Sequence, residues 1–294
     1  MDEKDWLILK TLHEQKSITK TAAAVYISQP ALTNRLHQIE ERFGVQIAIR
    51  SRKGIEFTPE GEFLVRSACE MLDNLRAMDE GLKDMDADIS GTLRIGASHF
   101  CTKYLLPEIL FRFKEQFPRV EFKLITGWST DISRLVYNGD LHVGFIRSEN
   151  SWSGDRHLLY EEKTFICSMD EISLVDLPHQ PQISYQSENA IEMALDSWWS
   201  ENYNEPPYVT MEVDRVDTCR EMVAKGLGYA FLPEMIARSI PDVFMAEMVF
   251  KTGTSFKRST WVVANQETIQ LKLVESFVGF VAGLEFPLQT GSCN

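Results

Sequence analysis

No run of 18 apolar residues occurs in the 294-residue chain, so a helical membrane span is not expected. The opening Met1-Asp2-Glu3-Lys4-Asp5 is acidic and no apolar core follows it, which excludes a recognisable secretory signal. Cysteine is scarce. Cys69, Cys101, Cys167, Cys219 and Cys293 are odd in number and widely scattered, which fits a reduced cytoplasmic protein better than a disulfide scaffold. Neither they nor the six histidines show metal-ligand spacing, so neither a metal nor another cofactor is expected.

Catalytic patterns are also missing. There is no HExxH, GxSxG or Walker motif, and Gly226-Leu227-Gly228 lacks the third glycine of a dinucleotide fingerprint. Ser17-Ile18-Thr19-Lys20 and Lys251-Thr252-Gly253 match two elements of penicillin-interacting enzymes, but the S-D-N element is absent. The expectation is a protein without enzymatic activity.

Charge is present but unevenly spread. The net charge of −13 opposes a nucleic-acid partner, yet residues 15–55 hold seven bases and two acids. A locally basic segment in an acidic chain is an electrostatic footprint to test. Three helical patterns occupy this stretch and the residues before it. Trp6, Leu7, Ile8, Leu9 and Leu12 make an apolar first helix ending near residues 14–16. Ser17 is placed to cap a short second helix carrying Thr21 to Ala24, and Ser28 a third, with Pro30 tolerated in its first turn. Leu32, Leu36, Ile39 and Phe43, spaced 4, 3 and 4, predict a buried stripe on that third helix.

Two helices joined by a short turn fit a helix-turn-helix, in which the second helix enters the major groove. The residues expected to meet DNA are Thr19, Ser28, Gln29, Pro30, Thr33, Asn34, Arg35 and Gln38. Gln29 is suited to read adenine, and Thr33, Asn34 and Arg35 to bind bases or phosphates. A three-helix structural subdomain with a solvated face has the same periodicity. Gly44 ends the third helix, and residues 47–50 and 55–57 read as two strands around a basic turn. Such a hairpin makes a wing whose Arg50, Arg52 and Lys53 face the phosphate backbone. Thr58-Pro59 then restarts helix.

Ser17-Ile18-Thr19-Lys20-Thr21-Ala22-Ala23, Ser28-Gln29-Pro30-Ala31-Leu32-Thr33, Ile39-Glu40, Gly44-Val45, Arg50 and Thr58-Pro59-Glu60-Gly61 resemble, in order, the signature of LysR-type transcriptional regulators. Ala48-Ile49 departs from the Leu-Phe usual before the wing arginine. The resemblance implies a winged helix-turn-helix in residues 1–58, a linker and dimerisation helix in 59–89 and an effector domain in 90–294. Leu64, Ala68, Met71, Leu75, Met78, Leu82 and Met85 alternate spacings of 4 and 3, the a/d seam of a coiled coil.

Beyond Ile89-Ser90-Gly91 the pattern changes to alternating strand and helix, which predicts parallel sheets covered by helices. Strands are expected at 92–97, 120–126, 141–146, 164–168, 182–185, 208–213 and 259–264. Helices are expected near 105–117, 131–137, 188–200, 215–225 and 268–282. Two α/β lobes, about 90–162 with 266–294 and about 163–265, would enclose a cleft. Leu93-Arg94-Ile95-Gly96, Leu106-Pro107, Phe117-Pro118 and the run Gly226-Leu227-Gly228-Tyr229-Ala230-Phe231-Leu232-Pro233 are similar to the LysR effector domain, itself like periplasmic solute-binding proteins. The fold class is therefore α+β and α/β multidomain.

The resemblance places Ser98, His99, Thr102, Trp128, Ser129, Thr130, Arg147 and Thr218 at the cleft, with Arg147 meeting an acidic group. His142 stands where relatives carry Asp, either tuning the pocket by titration or as a tolerated strand-end change. The function implied is a cytoplasmic, homodimeric or homotetrameric regulator of double-stranded operator DNA, controlled by a small, anionic effector. The alternative is a redox-responsive regulator using Cys101 or Cys219.

Overall fold

The computed structural model describes residues 1–51, 54–86, 88–147, 152, 154 and 156–286, with the backbone alone of residues 50 and 51. Contacts divide the chain into two units, Met1–Ala87 and Asp88–Asn294.

In the first unit, Asp2 and Asp5 cap each other reciprocally, each backbone N–H reaching the other carboxylate at 3.0–3.1 Å, and this starts α1 (Glu3–Gln15). Lys16, in the left-handed region at φ +48°, ends it. Ser17 accepts from the Lys20 N–H to start α2 (Ile18–Ala24), and Ser28 accepts from the Ala31 N–H to start α3 (Gln29–Phe43). Gly44, at φ +66°, stops α3 as expected. Leu32 and Ile39 are buried on its inner face, contributing roughly 1.5–3 kcal/mol each. Phe43 is not on that stripe. It is 46% exposed, because α3 ends there, and the flanking Arg42 guanidinium lies over its ring.

Strands β1 (Ala48–Ser51) and β2 (Gly54–Phe57) pair antiparallel. The hairpin is tied back to the α1–α2 turn by the Ile55 N–H, which donates to the Lys16 carbonyl at 3.2 Å. Helix α4 (Pro59–Asp84) is capped by Thr58, whose hydroxyl also donates to the Gln46 carbonyl at 2.5 Å. The fit of α4 against the hairpin requires glycine at position 61, since a Cβ there would stand 2.0 Å from the Ile47 carbonyl oxygen.

The seam on α4 needs correction at both ends. Leu64 and Ala68 are buried with Leu9, Ile39, Ile47 and Val65, so they belong to the core of their own unit. Met85 lies past the last helical residue. Met71, Met78 and Leu82 are exposed and Leu75 is half-buried, which leaves the middle of the predicted seam uncovered within this chain.

The second unit begins with β3 (Gly91–Ser98), α5 (His99–Tyr104), α6 (Leu106–Gln116), β4 (Val120–Gly127), α7 (Ser129–Tyr137) and β5 (Val143–Ile146). β3 lies between β4 and β5 and is parallel to both, as expected of βαβ connections. Then follow β6 (Arg156–Ser168), a 3-10 turn (Leu174–His179), β7 (Gln182–Tyr185), α8 (Asn189–Asn202), β8 (Val209–Val213), α9 (Val216–Ala224), β9 (Ala230–Pro233), α10 (Glu234–Ala237), β10 (Phe244–Glu247), β11 (Lys257–Ala264) and α11 (Lys272–Ala282).

β6 is much longer than the strand expected at 164–168, because it serves two neighbourhoods. Its first half pairs with β11, and its second half with β9 and β10. The end of β11, from Trp261 to Ala264, pairs with β5, so the chain returns to the first lobe within this strand, which is the one expected at 259–264. β7 and β8 are parallel, and Gln182 bridges to Tyr229 beside β9. Two strands thus cross between the lobes, and the loops at the carboxyl ends of β3, β4, β7 and β8 converge between them.

Candidate nucleic-acid interface and ligand cleft

At the start of α3, Ser28, Gln29, Pro30, Asn34 and Gln38 are exposed and Thr33 is half-buried. The Ser28 hydroxyl is engaged as helix cap, which leaves its proton able to donate outward. Thr19, exposed on α2, donates to the Gln29 side-chain oxygen at 3.4 Å and so orients the residue suited to reading a base. Lys20 and Tyr26, exposed beside them, were not singled out by periodicity. Tyr26 is 94% exposed at φ +57°, and its only sequence signal is an aromatic between two helices.

Arg35 does not join this face. Its Nε donates to the buried Asp5 carboxylate and its Nη2 to Asp2 at 2.5 Å, which pins α3 to the amino terminus of α1. The bonds to Asp5 and Asp2 raise the Arg35 pKa, and the bond from Arg35 holds the Asp2 carboxyl below its ordinary value. The arginine is expended on structure because the capping box concentrates two carboxylates within its reach. The side chain of Arg50, and Arg52 and Lys53 entirely, lie outside the described residues.

In the second unit a cavity of about 70 Å³ opens between the lobes. Ser98, His99, Trp128 and Arg147 line it, as expected. Ser129 is fully buried at its edge, with its N–H donating to Glu188 at 2.7 Å and its hydroxyl accepting from the Arg147 N–H at 3.1 Å. Thr102, Thr130 and Thr218 are not among the lining residues. Thr102 donates to the Ser98 carbonyl and shares a bond with Thr126, Thr130 is exposed, and Thr218 lies on α9. His142 is buried in the strands, accepting from the Arg94 N–H at Nδ1, which makes it a structural residue and no part of this lining.

The floor of the cavity carries two guanidinium groups. Arg147, 5% exposed, donates from Nη2 to Glu162 at 2.5 Å and sits 3.7 Å from the centre of the Phe100 ring. Burial, the largest single influence, pulls its pKa down, but the Glu162 charge together with Tyr160, Cys101 and Tyr185 brings the value above the ordinary one. Arg258, 7% exposed, donates from Nη1 to the Tyr185 hydroxyl at 3.2 Å. Its pKa is lowered by burial and by the like charge of Arg147. The Nε atoms of both arginines are buried without a hydrogen-bond partner. Glu162 also accepts from the Met235 N–H at 3.0 Å and from the Tyr160 hydroxyl at 3.5 Å, so one carboxylate serves a cation, an amide and a phenol.

His99 packs edge-on to Trp128 at the rim, and burial followed by the Arg215 charge lowers its pKa. Cys101 and Cys219 are fully buried, and burial pushes their thiols up to about 11 and about 12. Neither has the thiolate character of a reactive cysteine. Among the described residues no group of three or more His, Cys, Asp or Glu is arranged to hold a metal.

A family model described as "LysR substrate binding domain" matches residues 86–284, and one described as "Bacterial regulatory helix-turn-helix protein, lysR family" matches residues 4–62. The chain is 38% identical over 283 residues to the uncharacterized HTH-type transcriptional regulator YraN of Bacillus subtilis, covering 96% of this chain and 98% of that one. It is 29% identical over 273 residues to a second HTH-type regulator of that organism, YkuM, covering 92% and 93%. Its fold is similar to the full-length structure of the Vibrio cholerae virulence activator AphB, with a TM-score of 0.63 at 17% identity over 97% of this chain and all of that one. The structure of full-length CbnR complexed with its target DNA gives a TM-score of 0.65 at 19% identity, over 96% and 99%.

Proposed function

Because the chain belongs to the LysR family of transcriptional regulators, we propose that its α3 face reads operator DNA while a small anionic effector, bound between the two lobes, sets its activity. The family consists of DNA-binding regulators with an effector-binding domain, and not of enzymes. The reading of the cleft rests above all on two buried arginines, Arg147 bonded to Glu162 and Arg258 bonded to the Tyr185 hydroxyl, each of which keeps an Nε without a partner. A buried cation without a full set of acceptors is costly, and an incoming oxyanion offsets that cost.

On the DNA side, Gln29, Asn34 and Gln38 reach base edges or phosphates, with Thr19, Ser28, Pro30 and Thr33 around them and the wing arginines and Lys53 on the backbone. Met71, Leu75, Met78 and Leu82 on α4 pair two chains, and a homodimer or homotetramer contacts half-sites of a two-fold operator. A cytoplasmic location follows from this role. Among the described residues no helix is long and apolar enough to cross a membrane. The redox alternative is weakened by the burial and raised pKa values of Cys101 and Cys219.

Thermal-shift screening of the full chain with small carboxylates tests the cleft, since a ligand that binds only the folded state raises its stability by mass action. Stabilisation that disappears in Arg258→Met is the expected result, and stabilisation that persists there would contradict the assignment.

A further inference from the structure

One carboxylate at the mouth of the cleft does not serve its own helix. Glu188 is the N-cap residue of α8, yet its side chain makes no capping bond there. It leaves the second lobe and accepts from the Ser129 N–H of the first lobe at 2.7 Å. Ser129 is the first residue of α7, a nine-residue helix whose N-cap position, Trp128, supplies no side-chain cap. The amides at such a terminus lack intrahelical acceptors and the helix dipole favours negative charge, so this is a seat for an oxyanion. The chain's own glutamate occupies it.

A second observation directs a ligand to the same cavity. Arg258 is more than nine-tenths buried, lines that cavity together with Glu188, and has an Nε without a hydrogen-bond partner. A desolvated cationic donor of this kind marks where an acceptor from outside the chain gains most. The cavity of about 70 Å³ holds only about five to seven water-sized spheres by the measure that one needs roughly 10–15 Å³. Small-molecule sites usually run from about 300 Å³ upward, so a ligand larger than a few heavy atoms has to displace part of the lining.

We propose that Glu188 is a tethered competitor for the effector's acidic group. Without effector it holds the Ser129 amide and bridges the lobes; an incoming carboxylate takes the seat and releases that bridge. This rests on the reading of the cleft as an anion site. Other cross-lobe bonds, from Lys103 at 2.8 Å and from Tyr104 to Asp217, stay in place, so the exchange loosens one edge of the cleft and leaves the other joined. Occupancy by Glu188 lowers the apparent affinity in proportion to the fraction of time the seat is free.

The test uses the full chain and acetate as the probe, at an ionic strength held constant with sodium chloride, following thermal stabilisation. In Glu188→Ala the midpoint, the acetate concentration at which mass action gives a stabilisation of RT ln 2, falls by about tenfold or more, as expected if the seat is free less than about a tenth of the time. Glu188→Gln, which keeps the shape, moves in the same direction by less. Asp214→Asn removes the same charge from the cavity lining without freeing an amide, and changes the midpoint by less than about threefold, as expected for one screened charge. The Ser129 amide proton resonance moves upfield in Glu188→Ala and returns on addition of acetate. An unchanged midpoint in Glu188→Ala, or equal changes in Glu188→Ala and Asp214→Asn, overturns the competitor. An acetate response that survives intact in Arg258→Met overturns the anion site itself.

Discussion

The two units of this protein treat their polar side chains in opposite ways. On α3 of the first unit, Gln29, Asn34 and Gln38 stand in solvent, and Arg35 beside them is held by Asp2 and Asp5 through Nε and Nη2. In the second unit Arg147 and Arg258 are buried, each with an Nε that has no acceptor. Exposed groups are satisfied by water until DNA replaces it, and they cost the folded state little. Buried, under-partnered cations destabilise the folded state until a ligand arrives. On the reading proposed above, the surface waits for DNA and the cavity for an oxyanion, and either ligand shifts conformation only as far as it binds one state better than the other.

The sharpest way to break this contrast is at Glu162. Replacing it with Ala leaves Arg147 buried without its carboxylate, and urea unfolding should show a loss of roughly 3–5 kcal/mol. A loss below about 1 kcal/mol, the scale of an exposed pair, would make the cleft pair equivalent to a surface one. Arg258→Met acts in the other direction. Because it removes a poorly partnered buried charge, it should leave stability within about 1 kcal/mol of the parent or raise it, while the response to carboxylates is lost.

On the first unit, Gln29→Ala should change sequence preference at one base pair by roughly 1–3 kcal/mol in competition binding. Arg35→Met should leave that preference unchanged and lower the melting temperature of the unit instead. An altered base preference in Arg35→Met would return the arginine to the DNA face. The smallest effect concerns His99, whose pKa is held below its ordinary value of 6.5. The unfolded chain therefore binds the proton more readily, so stability is complete above pH 6.5 and declines as the pH drops through the lower folded value. His99→Gln should flatten that part of a melting-temperature profile, and only slightly, since the ring is partly exposed.

Local spacing made much of the first unit legible. Ser17, Ser28, Gly44 and Thr58-Pro59 cap or end helices by rules that act within four residues, and each does so. What local spacing could not carry was the use of a side chain across elements. Leu64 and Ala68 continue a perfect a/d pattern, yet the hairpin and α1 fold back to cover them. Arg35 sits on the polar face of α3, but two carboxylates some thirty positions earlier claim it. The cleft shows the same limit more strongly. Ser98, His99, Trp128 and Arg147 could be placed because the family resemblance carries over positions at the ends of strands in one lobe. Tyr185, Glu188 and Arg258 come from β7, the cap of α8 and a crossing strand, and no period in the sequence joins them.

The central claim is that α3 carries a DNA reader, and fluorescence anisotropy of a labelled fragment from the neighbourhood of the protein's own gene tests it most directly. The account predicts binding at low salt whose logarithmic affinity falls linearly with the logarithm of salt concentration, with a preference for that fragment over unrelated DNA that weakens in Gln29→Ala. Absence of binding at low salt, or binding indifferent both to sequence and to Gln29, would contradict it.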